Sequence, residues 1–276
     1  MANKKQKFTV ACVQLNSKQS VSNNLLNTKK YINKACDRGV DLIVTPEITN
    51  IVSLSKYHLL KSTFLEKKDP FLNEIKLIAK KRSVWILLGS IIIKDEKSKL
   101  YNRSYLISSA GKIVCKYDKI HMFDVNISKS ESYQESKIFT KGKKIVTAKL
   151  PWGRIGMSIC YDLRFPTLYR KLCSNGASMI SIPAAFTRPT GKSHWRTLIK
   201  ARAIENSSFV FAPAQCGVNS STRKTYGHSM IVSPWGEIIA EMAGNPGIIL
   251  AKIDISEVSK VRKKIPSYKG TSIEKK

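Results

Sequence analysis

A thiol, a carboxylate and an ammonium group, each at the end of its own apolar run, are the side chains best placed to do chemistry. The thiol is Cys160 in "RIGMSICYDLRFP" (154–166), where a buried-type strand ends and an acid follows two residues later. A cysteine becomes a nucleophile only as its thiolate, which requires a nearby base or cation and some access. Without those it reads as a small core hydrophobe. "DLIVTPE" (41–47) leads an apolar strand into Glu47. A partly buried carboxyl there is expected to have a raised pKa, suited to a general base. "KYDKIHMFD" (116–124) carries Lys119 among apolar and aromatic residues just past a hairpin. Singly, each has an ordinary reading: a core thiol, a loop acid, a surface lysine. Together they offer a nucleophile, a base and a cation, an arrangement that no single one of them establishes.

These residues need elements to hold them. Strand-type runs, rich in β-branched residues and bounded by polar or Gly/Pro punctuation, fall at 8–15, 41–47, 84–93, 154–161, 178–186 and 209–215. Helical spacing brings Leu25, Ile32, Ala35 and Cys36 to one face, then Leu168, Leu172 and Cys173, then Leu198, Ile199 and Ala203. Asp37-Arg38-Gly39 and Asn175-Gly176 read as helix stops. Segments 103–117 and 228–242 read as hairpins turning at Ala110-Gly111 and Pro234-Trp235-Gly236. Strands that alternate with helices but include hairpins predict an α/β fold with mixed sheets. No linker, repeat or low-complexity tract divides the chain, so one domain over 1–276 is expected, with a Lys-rich C-terminal tail from about 269.

Other machinery is missing from the sequence. There is no GxxxxGK[ST] loop, GxGxxG turn or GxSxG elbow. The four histidines lack metal-ligand spacing, which argues against a metal site. His228 offers an alternative Cys–His pairing, but "TYGHSMIV" reads more simply as a histidine opening a strand. The six cysteines show no CxxC pair, no apolar stretch is long enough to span a membrane, and the basic N-terminal segment lacks a leader's apolar core. A reducing cytoplasmic setting is the expectation. The formal charge of +29, from 48 Lys and Arg against 19 Asp and Glu, raises the idea of a basic nucleic-acid-binding scaffold. The lysines are spread along nearly every segment, however, which points to a solvated surface and away from nucleic acid.

Glu47, Lys119 and Cys160 stand in the order and contexts of the nitrilase superfamily, the carbon–nitrogen hydrolases. The chain resembles that family from "ACVQLN" at Ala11 to "KIDISEVSKVRKKIPSYK" near the end, through "TPE", "YDKIHMFDV", "GRIGMSICYDLRFP" and "TGKSHWRTLIKARAIEN". "PAQCG" (213–217) followed by "YGHSMIVSPWG" (226–236) is most similar to the deaminated glutathione amidase branch, and less so to the omega-amidases. The resemblance implies a four-layer α-β-β-α sandwich acting as a homodimer or higher homo-oligomer without a cofactor. It implies that Cys160 attacks the amide carbon of a small acid while Glu47 takes its proton. Lys119 and the backbone amide of Tyr161 then hold the oxyanion. A second glutamate of the family matches Glu135 in "SYQESKIF", where it orients the lysine. Phe186, Thr190 and His194, with Trp195, fall in the segment that borders the family's pocket, and Arg202 and Glu205 are expected to form a supporting ion pair. An omega-amidase or a carbamoyl-amine hydrolase is the alternative within the family.

Overall fold

Alternation of side chains along the strands explains the layers. In Lys7–Gln14, Val10 and Cys12 point to one side and Ala11 and Val13 to the other, and all four are buried. A strand buried on both faces must be covered on both. The computed structural model, which describes residues 6–128, 131–221 and 223–267, supplies both covers. Ala11 and Val13 pack with Ile32, Ala35, Phe71 and Ile75 of helices Val21–Cys36 and Pro70–Lys81. Val10 and Cys12 pack instead with Met157, Met179 and Phe211 of a second sheet. That sheet is backed in turn by helices Pro166–Ser174 and Arg196–Asn206, through Leu168, Leu172 and Ile199. The layering is α-β-β-α, as the family resemblance implies.

Each of the two main sheets has six strands. The first runs Gly247–Asp254, Lys7–Gln14, Leu42–Val44, Trp85–Lys94, Leu100–Ile107, Ile113–Asp118. Its pairings are antiparallel, parallel, parallel, antiparallel, antiparallel. The second runs Thr147–Lys149, Arg154–Met157, Met179–Ser181, Phe209–Ala212, Met230–Val232, Ile238–Glu241, with the same series of pairings. Both sheets are therefore mixed and share one series of pairings, with the C-terminal strand Gly247–Asp254 returning to the first. Glu47 follows the second chain-order strand of the first half, and Cys160 follows Arg154–Met157 of the second.

Helix signals match their chemistry. Ser20 caps Val21–Cys36 by accepting the Asn23 amide, and Asp69 caps Pro70–Lys81 by accepting the Leu72 amide at 2.8 Å, with Pro70 at the first position. Both hairpins form: Gly111 takes a positive φ of 73° in the first, and Gly236 one of 88° in the second. The strands before the chemical residues are shorter than their apolar runs. Leu42–Val44 stops three residues before Glu47, and Arg154–Met157 stops three before Cys160. Pro46 ends the first, and the backbone of Cys160 itself turns the second. The proposed tail from about 269 lies outside the described residues. No helix among those described is long and apolar enough to cross a membrane.

Candidate active site

The Glu47 loop is held by an irregularity in its neighbour. Trp85–Lys94 departs from regular pairing between Leu88 and Ile91, and Gly89 and Ser90 there bond the loop. The Gly89 amide donates to Thr45 Oγ1 at 3.0 Å, the Ser90 amide to the Pro46 carbonyl at 3.1 Å, and the Ile48 amide to Ser90 Oγ at 2.8 Å. Position 89 must be glycine for close approach, because a Cβ would sit 1.8 Å from the Thr45 carbonyl oxygen. Ile48 is forced to a φ of 47°, a left-handed conformation that is unfavourable for a β-branched residue. Such strain concentrates where surrounding structure over-determines a functional loop.

The nucleophile candidate sits on a similar turn. Cys160 has a φ of 49°, and its amide donates to the Pro183 carbonyl at 2.9 Å. The turn is pinned by the fully buried Asp162, whose carboxylate accepts the Ile159 amide at 2.8 Å and the Tyr117 hydroxyl at 2.6 Å. The same carboxylate accepts the His121 amide at 3.1 Å, and its Oδ1 lies 2.7 Å from His121 Nδ1. Tyr117 and His121 flank Lys119, so one acid ties the Cys160 turn to the segment that delivers the lysine.

Lys119 follows Ile113–Asp118 and is 2 % exposed. Its Nζ donates to Glu47 Oε1 at 2.9 Å and to the two oxygens of Glu135 at 2.9 and 2.8 Å. Glu135 opens a short turn after a two-stranded ribbon, Asp124–Ser128 with Glu131–Gln134, and also accepts the Phe123 amide at 2.6 Å. Asn102, in Leu100–Ile107, donates to Glu47 Oε1 at 2.9 Å and reaches Glu135 Oε1 at 3.4 Å. All four ionisable candidates line one cavity of about 340 Å³, with Tyr161, Phe186 and Thr190 also on its wall.

Electrostatics assign the protons. Burial drives the Glu47 carboxyl upward, but the Lys119 charge and the hydrogen bonds from Cys160 and Lys119 outweigh it and hold Glu47 below its ordinary value. The raised pKa expected from strand-end burial is thus reversed, because the paired ammonium was not visible from Glu47 alone. Burial also opposes the Lys119 charge, yet the carboxylates of Glu135 and Glu47 hold it well above the normal lysine value. Burial pushes the Cys160 thiol well up, and the Glu47 charge pushes it further. The resting state is a neutral thiol beside a carboxylate and a fixed ammonium. A thiol in that state attacks only if its proton leaves as the new bond forms, and Glu47 is the neighbouring ionised base.

One further expectation is corrected. His194 does not line the cavity: in the turn Gly191–Trp195 the buried positions are Gly191 and Trp195, and His194 is exposed, 3.3 Å from the Arg164 guanidinium. His228 is also off the cavity wall, stacked on Tyr226, with its carbonyl accepting Trp195 Nε1. Phe186 packs on Trp195 at a centroid distance of 4.9 Å, so it serves wall and core at once. Arg202 and Glu205 form the expected ion pair at 2.9 Å, and Arg202 also donates twice to the Leu163 carbonyl behind the Cys160 turn. Sequence reading missed Asn102, Asp162 and Arg223. Asp162 alone had a local signal, an acid two residues after the candidate nucleophile.

Residues 9–263 match the model of the carbon–nitrogen hydrolase family. The chain is 38 % identical to a deaminated glutathione amidase of Dictyostelium discoideum over 264 residues, covering 92 % of this chain and 90 % of the relative. It is 37 % identical to a deaminated glutathione amidase of Yersinia enterocolitica, with 93 % and 90 % covered. Among solved structures it is similar to Saccharomyces cerevisiae Nit3, described as a member of branch 10 of the nitrilase superfamily. That match has a TM-score of 0.85 at 30 % identity and covers 95 % of each chain.

Proposed function

The chain belongs to the carbon–nitrogen hydrolase family, a hydrolase of non-peptide C–N bonds within the nitrilase superfamily, and from that premise we propose that it is a thiol amidase of the deaminated glutathione type, with Cys160 as nucleophile. The observation that carries the site assignment is the Lys119 ammonium held between Glu47 and Glu135 on the wall that also bears Cys160. The amide carbonyl binds with its oxygen toward Lys119 and the Tyr161 amide. Sulfur bonds to the carbonyl carbon as the thiol proton passes to Glu47. The tetrahedral oxyanion is met by a charge already in place, so little reorganisation is needed. Glu47 returns the proton to the departing amine, leaving a thioester. Water, deprotonated by Glu47, adds to the thioester, and the acid and free thiol are regenerated. Glu135 keeps Lys119 protonated and aimed. Phe186 and Thr190 shape the acyl wall.

The same reading takes the chain as one domain working in the cytoplasm, which the free state of all six cysteines supports. It takes the enzyme as a homodimer or larger homo-oligomer. Ile204 and Trp235 are each 51 % exposed, and Gly236 beside Trp235 lies against Ile204, so these exposed apolar side chains support self-association. The deciding experiment is an amine-release screen of deaminated glutathione, 2-oxoglutaramate, carbamoylated amines and simple nitriles. Highest kcat/KM on deaminated glutathione supports the proposal. Preference for 2-oxoglutaramate or a carbamoylated amine moves the chain to another branch.

A further inference from the structure

Three cations among the described residues are less than a tenth exposed: Lys119, Arg202 and Arg223. A buried cation is costly unless paired. Lys119 has two carboxylates and Arg202 has Glu205. Arg223, 8 % exposed, makes no ion pair among the described residues. Its Nη2 donates to the Ala185 carbonyl at 2.7 Å, its guanidinium lies 4.7 Å from the centre of the Tyr133 ring, and its buried Nε has no hydrogen-bond partner. It also lines the cavity that holds Cys160, alongside Ala185 and Tyr133. A permanently charged fork fixed on a cavity wall beside a nucleophile, with no carboxylate of the described residues in hydrogen-bond contact, is placed to take an anion from the cavity.

Resting on the amidase reading, we propose that Arg223 is the cavity's anchor for a carboxylate of the substrate, the counter-ion that the protein itself withholds. Ala185 limits where that carboxylate sits. Its carbonyl takes the guanidinium, while its amide faces the Cys160 sulfur, so a single residue lies between anchor and nucleophile. The Arg223 charge also reaches Glu47, adding to the pull of Lys119 on that carboxylate. The anchor therefore selects acidic amides over neutral ones and positions the scissile carbonyl by a charge-assisted bond. Tyr133, stacked beneath the guanidinium, keeps the fork in plane.

The test compares kcat/KM for glutaramate, whose carboxylate is on the acyl half, N-valerylglycine, whose carboxylate is on the leaving half, and neutral valeramide. The wild type is expected to favour at least one acid over valeramide. In Arg223→Met that preference should fall roughly 10- to 100-fold, with partial recovery in Arg223→Lys. The acid whose preference falls identifies the half of the substrate that is anchored. Glutarate binding to Cys160→Ala, measured by calorimetry with and without Arg223→Met, reads the anchor without turnover, and the double variant should bind more weakly by a similar factor. A uniform loss on all three amides, an unchanged preference or unchanged glutarate binding would overturn the proposal in favour of a purely structural clamp on Ala185. Should the wild type cleave no amide, the amidase reading fails, while the glutarate titration still decides the anchor.

Discussion

The Tyr117 hydroxyl donates to the buried Asp162 carboxylate at 2.6 Å, joining the strand that precedes Lys119 to the turn that carries Cys160. Tyr117 lies in a strand of the first sheet and Asp162 in the turn that follows a strand of the second, so this bond sets nucleophile and cation relative to each other. Tyr117→Phe keeps the ring in the core and removes the bond. A lost hydrogen bond to a charged acceptor is worth about 1–3 kcal/mol. The expected outcome is a kcat about tenfold lower with KM little changed, and a lower urea midpoint. Unchanged kcat with lower stability alone would make the bond purely structural.

Gly89 is the second positioning test. An added methyl meets the Thr45 carbonyl oxygen at 1.8 Å and the Pro46 carbonyl oxygen at 2.5 Å, both backbone atoms of the Glu47 loop. Overpacking of this kind costs about 1–3 kcal/mol. Gly89→Ala should still fold, judged by circular dichroism, and should lose at least tenfold in kcat because Glu47 moves off Lys119.

Protonation gives a third prediction. Burial and then the Glu47 charge raise the Cys160 thiol, against the pull of Lys119. Removing the negative charge in Glu47→Gln must lower the thiol pKa. Thiolate absorbance, taken as the difference from a Cys160→Ala background, should appear at lower pH in Glu47→Gln than in the wild type. Activity should nevertheless be lost in that variant, because the easier thiolate comes without a base. An equal or higher thiolate onset would separate Glu47 from Cys160 electrostatically.

Asp69 is pushed up to about 6 by burial, despite accepting the amides that start its helix. Between the unfolded value near 3.9 and about 6 the native state binds more protons than the unfolded chain. Stability from this group therefore falls as pH rises through that window. Asp69→Asn preserves a capping oxygen and removes the buried charge. It should raise unfolding free energy at pH 8 by about 1 kcal/mol and flatten its dependence between pH 4 and 7, read from urea midpoints.

What the sequence could reveal depended on where each residue's signal lay. Glu47, Lys119 and Cys160 each follow an apolar run that a single pass along the chain can find. Asp162 was visible beside Cys160, but its partners Tyr117 and His121 lie more than forty residues upstream. Asn102 sits mid-strand in "YNRSY" and looks like any polar residue on an outward face; only the pairing of Leu100–Ile107 with Trp85–Lys94, where Asn102 is opposite Ile92, brings it to the Glu47 loop. Arg223 was one of 48 basic residues, and nothing local distinguishes it from the exposed ones. His194 failed for the opposite reason. Its neighbourhood was right, but within Gly191–Trp195 a shift of one position separates the buried Trp195 from the exposed histidine.

The central claim, that amide cleavage passes through a thioester on Cys160, is tested most directly by acid-quenched mass spectrometry during turnover of deaminated glutathione. The account predicts an adduct of the acyl mass on the peptide containing Cys160. That adduct and amine release should both vanish in Cys160→Ala, and both should persist in His228→Ala. Sustained amine release from Cys160→Ala, or an adduct on any of the other five cysteines in place of Cys160, would contradict it.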